Sequence, residues 1–178
     1  MRRLVLGVAF VPLLLFAVMC GPGTPNAGAT AEKPLPAGRH PSPIALMVCE
    51  TKVHGEINQV LGLKATVTGR TWVDHKYSCR YGYADGSFEL SVQELSSWAQ
   101  TLNYFHGLGT QLGKVQSLAG LGQGAFRTSG GDVVVRKDWK VLLVNVAGLP
   151  AQFGVPPTSS TDVAYTVADV VLGCWDGD

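Results

Sequence analysis

An α+β domain, built on an antiparallel sheet of about five to six strands with helices packed against it, is predicted by three observations. Tyr77, Cys79, Tyr81 and Tyr83 alternate with Ser78, Arg80 and Gly82, and Phe88, Leu90 and Val92 alternate with Glu89, Ser91 and Gln93 across an Asp85-Gly86 turn signal. Period two on both sides of a tight turn is an antiparallel hairpin. Apolar residues recur at helical spacing in two other stretches, Val53, Ile57, Val60 and Leu61, and then Trp98, Leu102 and Phe105. Hairpins are grouped rather than alternating with helices, so the order α-βββ-α-βββ-α argues against a parallel sheet.

The chain opens on an export segment. Arg2 and Arg3 precede an apolar run from Leu4 to Met19, followed by Cys20-Gly21. That run is shorter than the roughly 20 apolar residues of a spanning helix and Pro12 interrupts it, so residues 1–20 read as a lipoprotein-type signal peptide ending at the lipobox cysteine. Cleavage before Cys20, with a diacylglycerol thioether and palmitate-type acylation, would hold the protein to the extracytoplasmic face of the cell membrane. Met19 stands where a small residue is usual, and Ala29-Thr30-Ala31 offers an A-x-A site for plain secretion instead.

Residues 21–43 hold six of the ten prolines and no hydrophobic period, which predicts a disordered tether with a reach of roughly 70 Å if extended. Residues 44–178 then form a single globular domain. Thr51 is placed to cap the first helix and Gly62 to end it. Ala65 to Val73 is a first strand rich in β-branched residues, and the Asp85-Gly86 hairpin follows. Ser96 or Ser97 can cap a second helix that stops at Gly107, and the glycine-rich stretch from Leu108 to Gly124 reads as loop. A short strand at Ala125 to Thr128 precedes Val133–Val135 and Val141–Val146, the most apolar pair and so central in the sheet. Pro150 to Ser159 is loop, and a last helix begins near Ser160, with Asp162 favourable in its first turn.

Three cysteines follow Cys20. Cys49, at the edge of the first helix, and Cys79, within a strand, suit a disulfide that staples helix to sheet, a closure contributing about 3 to 4 kcal/mol. Cys174 reads as a buried free thiol or as the competitor for Cys49. No C-x-x-C pair occurs, so neither thioredoxin-like redox chemistry nor a thiolate zinc site has its local geometry, and no cofactor or metal is expected.

Charge narrows the function classes. Without Arg2 and Arg3, 12 basic residues face 13 acidic ones, and no basic cluster marks a nucleic-acid binder. Gly120-Leu121-Gly122-Gln123-Gly124-Ala125 fits G-x-G-x-x-A, but a strand rather than a helix is predicted after it, so a tight turn is the better reading. His54, His75 and His106 lie on different elements, and no G-x-S-x-G, H-E-x-x-H or S-x-x-K motif occurs. The expectation is therefore no enzyme and no catalytic residues. Trp72, Tyr77, Tyr81, Tyr83 and Trp139 are the candidate binding surface, because aromatics with polar tips favour recognition, although a tyrosine row at period two more often packs beneath a helix.

Taken in order, Cys49 before Val60-Leu61-Gly62, then Tyr77-Ser78-Cys79-Arg80-Tyr81, Gly120 to Ala125, and Val133-Val134-Val135-Arg136-Lys137 give a chain that resembles the small actinobacterial cell-envelope lipoproteins of unknown function. The resemblance covers about residues 46 to 175. It implies an exported, lipid-anchored α+β domain with a cysteine pair at Cys49 and Cys79, and supplies no activity. The expected function is a non-catalytic binding or interaction module in contact with the membrane through Cys20 and with a protein or small ligand at the cell surface. The alternative is a secreted structural or inhibitory protein contacting another envelope protein, with an enzyme assembled from scattered histidines and carboxylates a distant third.

Overall fold

The computed structural model describes residues 34–175; the signal segment, Cys20 and most of the expected tether lie outside the described residues. The elements are α1 (Pro43–Met47), α2 (Thr51–Leu61), β1 (Thr66–Val73), β2 (Lys76–Tyr83), β3 (Gly86–Glu94), α3 (Trp98–Gln111), β4 (Lys114–Leu118), β5 (Gly124–Thr128), β6 (Val133–Lys137), β7 (Lys140–Asn145), β8 (Gln152–Phe153), β9 (Thr158–Ser159) and α4 (Ser160–Gly173). The fold is α+β. Its main sheet has seven strands, one more than the upper expectation, in the order β1-β2-β3-β7-β6-β5-β4, with every pairing antiparallel.

Alternation along the strands sorts side chains into two cores. Tyr81 of β2, Leu90 of β3, Leu142 of β7 and Val135 of β6 point to one face and bury against Ala45 of α1, Val53 and Ile57 of α2 and Val167 of α4. Phe126 of β5, Val134 of β6 and Val141 of β7 point to the other, where Phe105 of α3 covers them. Helices thus lie on both faces, because β6 and β7 are apolar at successive positions and cannot leave either face in water. No helix among the described residues is long and apolar enough to cross a membrane.

The helix ends follow local chemistry. Ser97 and Ser159 accept hydrogen bonds from the main-chain N–H of Gln100 and Asp162, at 3.2 and 3.1 Å, and so cap α3 and α4. Gly62 ends α2 in the left-handed region, with φ 64°, and a Cβ there would lie 2.5 Å from the Val155 carbonyl. Thr51 does not cap α2. It is the first helical residue, and the cap position belongs to Glu50, whose side chain makes no capping bond.

Four expectations about extent are corrected. The helix expected to stop at Gly107 continues to Gln111, because Leu108 and Leu112 still pack on the Phe105–Phe126 cluster, and that burial outweighs the roughly 1 kcal/mol a helical glycine costs. β4 was expected as loop; its first four residues are exposed, so an edge strand left no alternation to read. α1 was missed for its brevity. The tether is shorter than 21–43: the Ala37 N–H bonds the Leu95 carbonyl at 3.1 Å, and the Ser42 N–H bonds Glu94 Oε1 at 2.9 Å.

Cys49 and Cys79 form a disulfide, each 1% exposed. Cys174 neither competes for Cys49 nor remains a free thiol; it is itself disulfide-bonded.

Candidate functional site

Of the five aromatic residues singled out from the sequence, the tyrosines do not make a surface. They occupy the odd positions of β2, which face α1 and α2, and Tyr77 and Tyr81 are buried. Tyr81 stacks on Phe88 with ring centroids 4.8 Å apart and donates a 2.7 Å hydrogen bond to the Val48 carbonyl. Tyr83 packs edge-on against Phe153 at 4.9 Å, and its buried hydroxyl has no partner among the described residues. Burial pushes both phenols well above their usual range. Trp72 and Trp139 are half-buried at one end of the sheet; the Trp72 indole N–H donates to the Arg39 carbonyl at 3.0 Å, and the Trp139 carbonyl accepts from the Leu95 N–H at 2.8 Å.

The histidines hold the fold. His54 Nε2 lies 2.9 Å from the Ala65 carbonyl and its ring meets Tyr81 edge-on, while His75 Nδ1 lies 3.0 Å from the Gly38 carbonyl and its ring meets Trp72. His106 sits on α3 against Phe105. Among the described residues no group of three or more His, Cys, Asp and Glu side chains is arranged to hold a metal. The Gly120–Ala125 segment is a turn feeding β5, as its neighbours predicted: Gly122 has φ 54°, a Cβ there would lie 2.7 Å from the Arg136 carbonyl, and no helix N-terminus meets it.

The concavity nearest the disulfide is a cleft of about 450 Å³ at the α1–α2 junction, lined by Leu46, Cys49, Glu50, Thr51, Lys52, Arg70 and Tyr77. The Arg70 guanidinium donates to the Cys49 carbonyl at 2.9 Å, which fixes it over the cleft. Arg70, Lys52 and the first N–H groups of α2, which Glu50 leaves uncapped, give this hollow a positive wall with one carboxylate at its rim. It suits a small polar ligand better than an apolar one. Sequence reasoning missed it because Cys49 and Arg70 are brought together only by the packing of α1 on the sheet. Comparison of the chain with family models, with curated proteins and with solved structures finds no match.

A second polar cluster lies under α3. Arg136, only 8% exposed, stacks its guanidinium 4.2 Å from the Trp98 ring and hydrogen-bonds the Gln123 carbonyl. Burial lowers its pKa, and its Nε has no partner among the described residues. The Arg136–Lys140 turn is therefore largely enclosed, with Arg136 and Lys140 buried and the three residues between them half-buried. Arg136 ties the β5 entry turn to the start of α3, a structural use of a planar cation between an aromatic face and a carbonyl.

Proposed function

We propose that the chain is an exported cell-envelope protein whose domain acts by binding rather than catalysis, in keeping with its resemblance to small actinobacterial lipoproteins of unknown function. The observation that carries this reading is the bridge between Cys49 and Cys79, which lies inside the core at the junction of α1 and α2. A disulfide built into the core suits a chain that folds where thiols oxidise, outside the cytoplasm. The binding role is supported by His54 and His75, whose ring nitrogens meet main-chain carbonyls, and by the cleft beside Arg70, which offers a small polar ligand a concave site.

The test is intact mass and non-reducing peptide mapping of protein purified from the native membrane fraction, together with fractionation of a Cys20→Ala variant. A mature chain without its signal segment is expected, with Cys49 linked to Cys79, and an unprocessed cytoplasmic chain would refute export; diacylglycerol on Cys20 would add a lipid anchor, and the variant would then move to the medium or remain an uncleaved precursor. Unchanged fractionation, or a mature form beginning at residue 32, would refute the anchor. So would a bond between Cys20 and Cys174, since one sulfur cannot carry both a thioether and a disulfide.

A further inference from the structure

We propose that the hollow between α3 and β4 binds a small aromatic carboxylate; the site is distinct from the cleft beside Arg70 and depends on neither export nor an anchor. The hollow, of about 310 Å³, is lined by Phe105, His106, Gly109 and Thr110 of α3, Lys114 of β4 and Phe126 of β5. Small-molecule sites span roughly 300 to 1,000 Å³, and this one lies at the lower end, so it suits a ligand built on one ring. Phe105 and Phe126, both buried, meet edge to face with centroids 4.9 Å apart and supply the apolar side. A bound ring finds the same edge and offset contacts favourable.

The polar side of the hollow calls for an anion. No Asp or Glu lines it, and Lys114 Nζ, 5.7 Å over the Phe126 ring, makes no hydrogen bond or ion pair among the described residues. The His106 imidazole packs on Phe105 with centroids 5.8 Å apart, and neither of its ring nitrogens has a hydrogen-bond partner among the described residues. A phenyl face is a weak partner for an exposed ammonium, so a carboxylate gains a charge-assisted bond there without breaking a stronger one. Gly109 keeps the space open. A Cβ at this position would meet the Lys114 and Phe126 side chains at 3.6 and 3.7 Å, ordinary contact distances, so the packing of α3 on β4 has room for alanine, the better helix former. Packing alone therefore does not require the glycine, whereas a larger side chain would fill the place of the ligand ring.

The test titrates the isotope-labelled mature chain with sodium benzoate and follows amide chemical shifts, with benzamide as the ring without the charge and sodium acetate as the charge without the ring. Lys114 is exposed and water screens it, so benzoate is expected to shift the amides of Gly109, Thr110 and Lys114 with half the effect at about millimolar concentration. Benzamide should bind roughly threefold more weakly or worse, and acetate roughly tenfold. Lys114→Met keeps a side chain over Phe126 without its charge and should weaken benzoate roughly threefold while leaving benzamide unchanged. Gly109→Leu should abolish binding of both rings, and Gly109→Ala should raise the thermal midpoint while weakening benzoate. These last two effects of opposite sign separate binding from folding, and Gly109→Ala with Lys114→Met keeps the test decisive where Gly109→Leu disturbs α3. Equal binding of benzoate with either benzamide or acetate overturns the proposal, as does unaltered affinity in Lys114→Met or an absence of shifts at roughly ten times the expected concentration. Shifts confined to Cys49 and Arg70 overturn it as well, by assigning benzoate to the other cleft. Export is read separately, from the mass of the native protein.

Discussion

The Tyr81 hydroxyl and the Val48 carbonyl, 2.7 Å apart and both buried, join the middle of β2 to the loop between α1 and α2. Next to this bond the disulfide ties Cys49 to Cys79, and Arg70 donates to the Cys49 carbonyl. Three different interactions therefore hold one two-residue segment. The reason is geometric: the carbonyls at the end of a short helix have no partners within it, and in a core they must find donors elsewhere.

Tyr81→Phe keeps the ring on Phe88 but leaves the Val48 carbonyl without its phenol donor. A loss of about 1 to 3 kcal/mol is expected, the cost of an unsatisfied buried acceptor. Urea denaturation with an unchanged m-value would show it. A loss below a few tenths of a kcal/mol would mean that water replaces the phenol.

Replacing Cys49 and Cys79 together by alanine removes a closure spanning 30 residues. The expected destabilisation is about 3 to 4 kcal/mol, and reductant should produce a similar loss in the unaltered chain. Both are measured by chemical denaturation. Stability insensitive to both would show that the bridge adds nothing to the packing of α1 on β2.

Stability should fall at alkaline pH. Tyr81 and Tyr83 have phenols raised by burial, so above the unfolded value of about 10 the unfolded chain loses protons that the folded chain keeps. The stabilisation is fully present below that pH and is lost as pH rises through the folded values, with a slope of up to roughly 1.4 kcal/mol per pH unit for each phenol. Denaturation midpoints across this range, with phenolate absorbance as a second readout, measure it. A flat profile would place both phenols in water.

Arg136→Lys keeps a charge but loses the planar group that stacks on Trp98 and reaches the Gln123 carbonyl. A destabilisation of about 1 to 2 kcal/mol is expected, accompanied by a changed near-ultraviolet signal from Trp98. An unaltered aromatic signal would show that the guanidinium does not order the indole.

The fold class was legible in the sequence wherever one face of an element is buried and the other is not. The hairpin of β2 and β3 and the helices α2 and α4 all carry such a contrast. β4 does not: Lys114, Val115, Gln116 and Ser117 are all exposed, and an edge strand with neither face covered has no period to display. The cleft at Arg70 and the enclosure of Arg136 were equally silent, since their parts lie far apart in the chain.

By itself the sequence determined the α+β class and the Asp85-Gly86 turn, because periodicity and turn chemistry are local quantities; it favoured a Cys49–Cys79 staple but left Cys174 as a competitor, and the packing of α1 and α2 on β2 decided the pair. Tertiary structure alone decided that the tyrosine row faces inward, because alternation says that one face is buried but not what covers it, and here α1 and α2 do. It also decided that Phe105, Lys114 and Phe126, on α3, β4 and β5, meet around one hollow. That convergence depends on which strands adjoin beneath the helix, and strand order is set by pairing between distant segments, which no local pattern encodes.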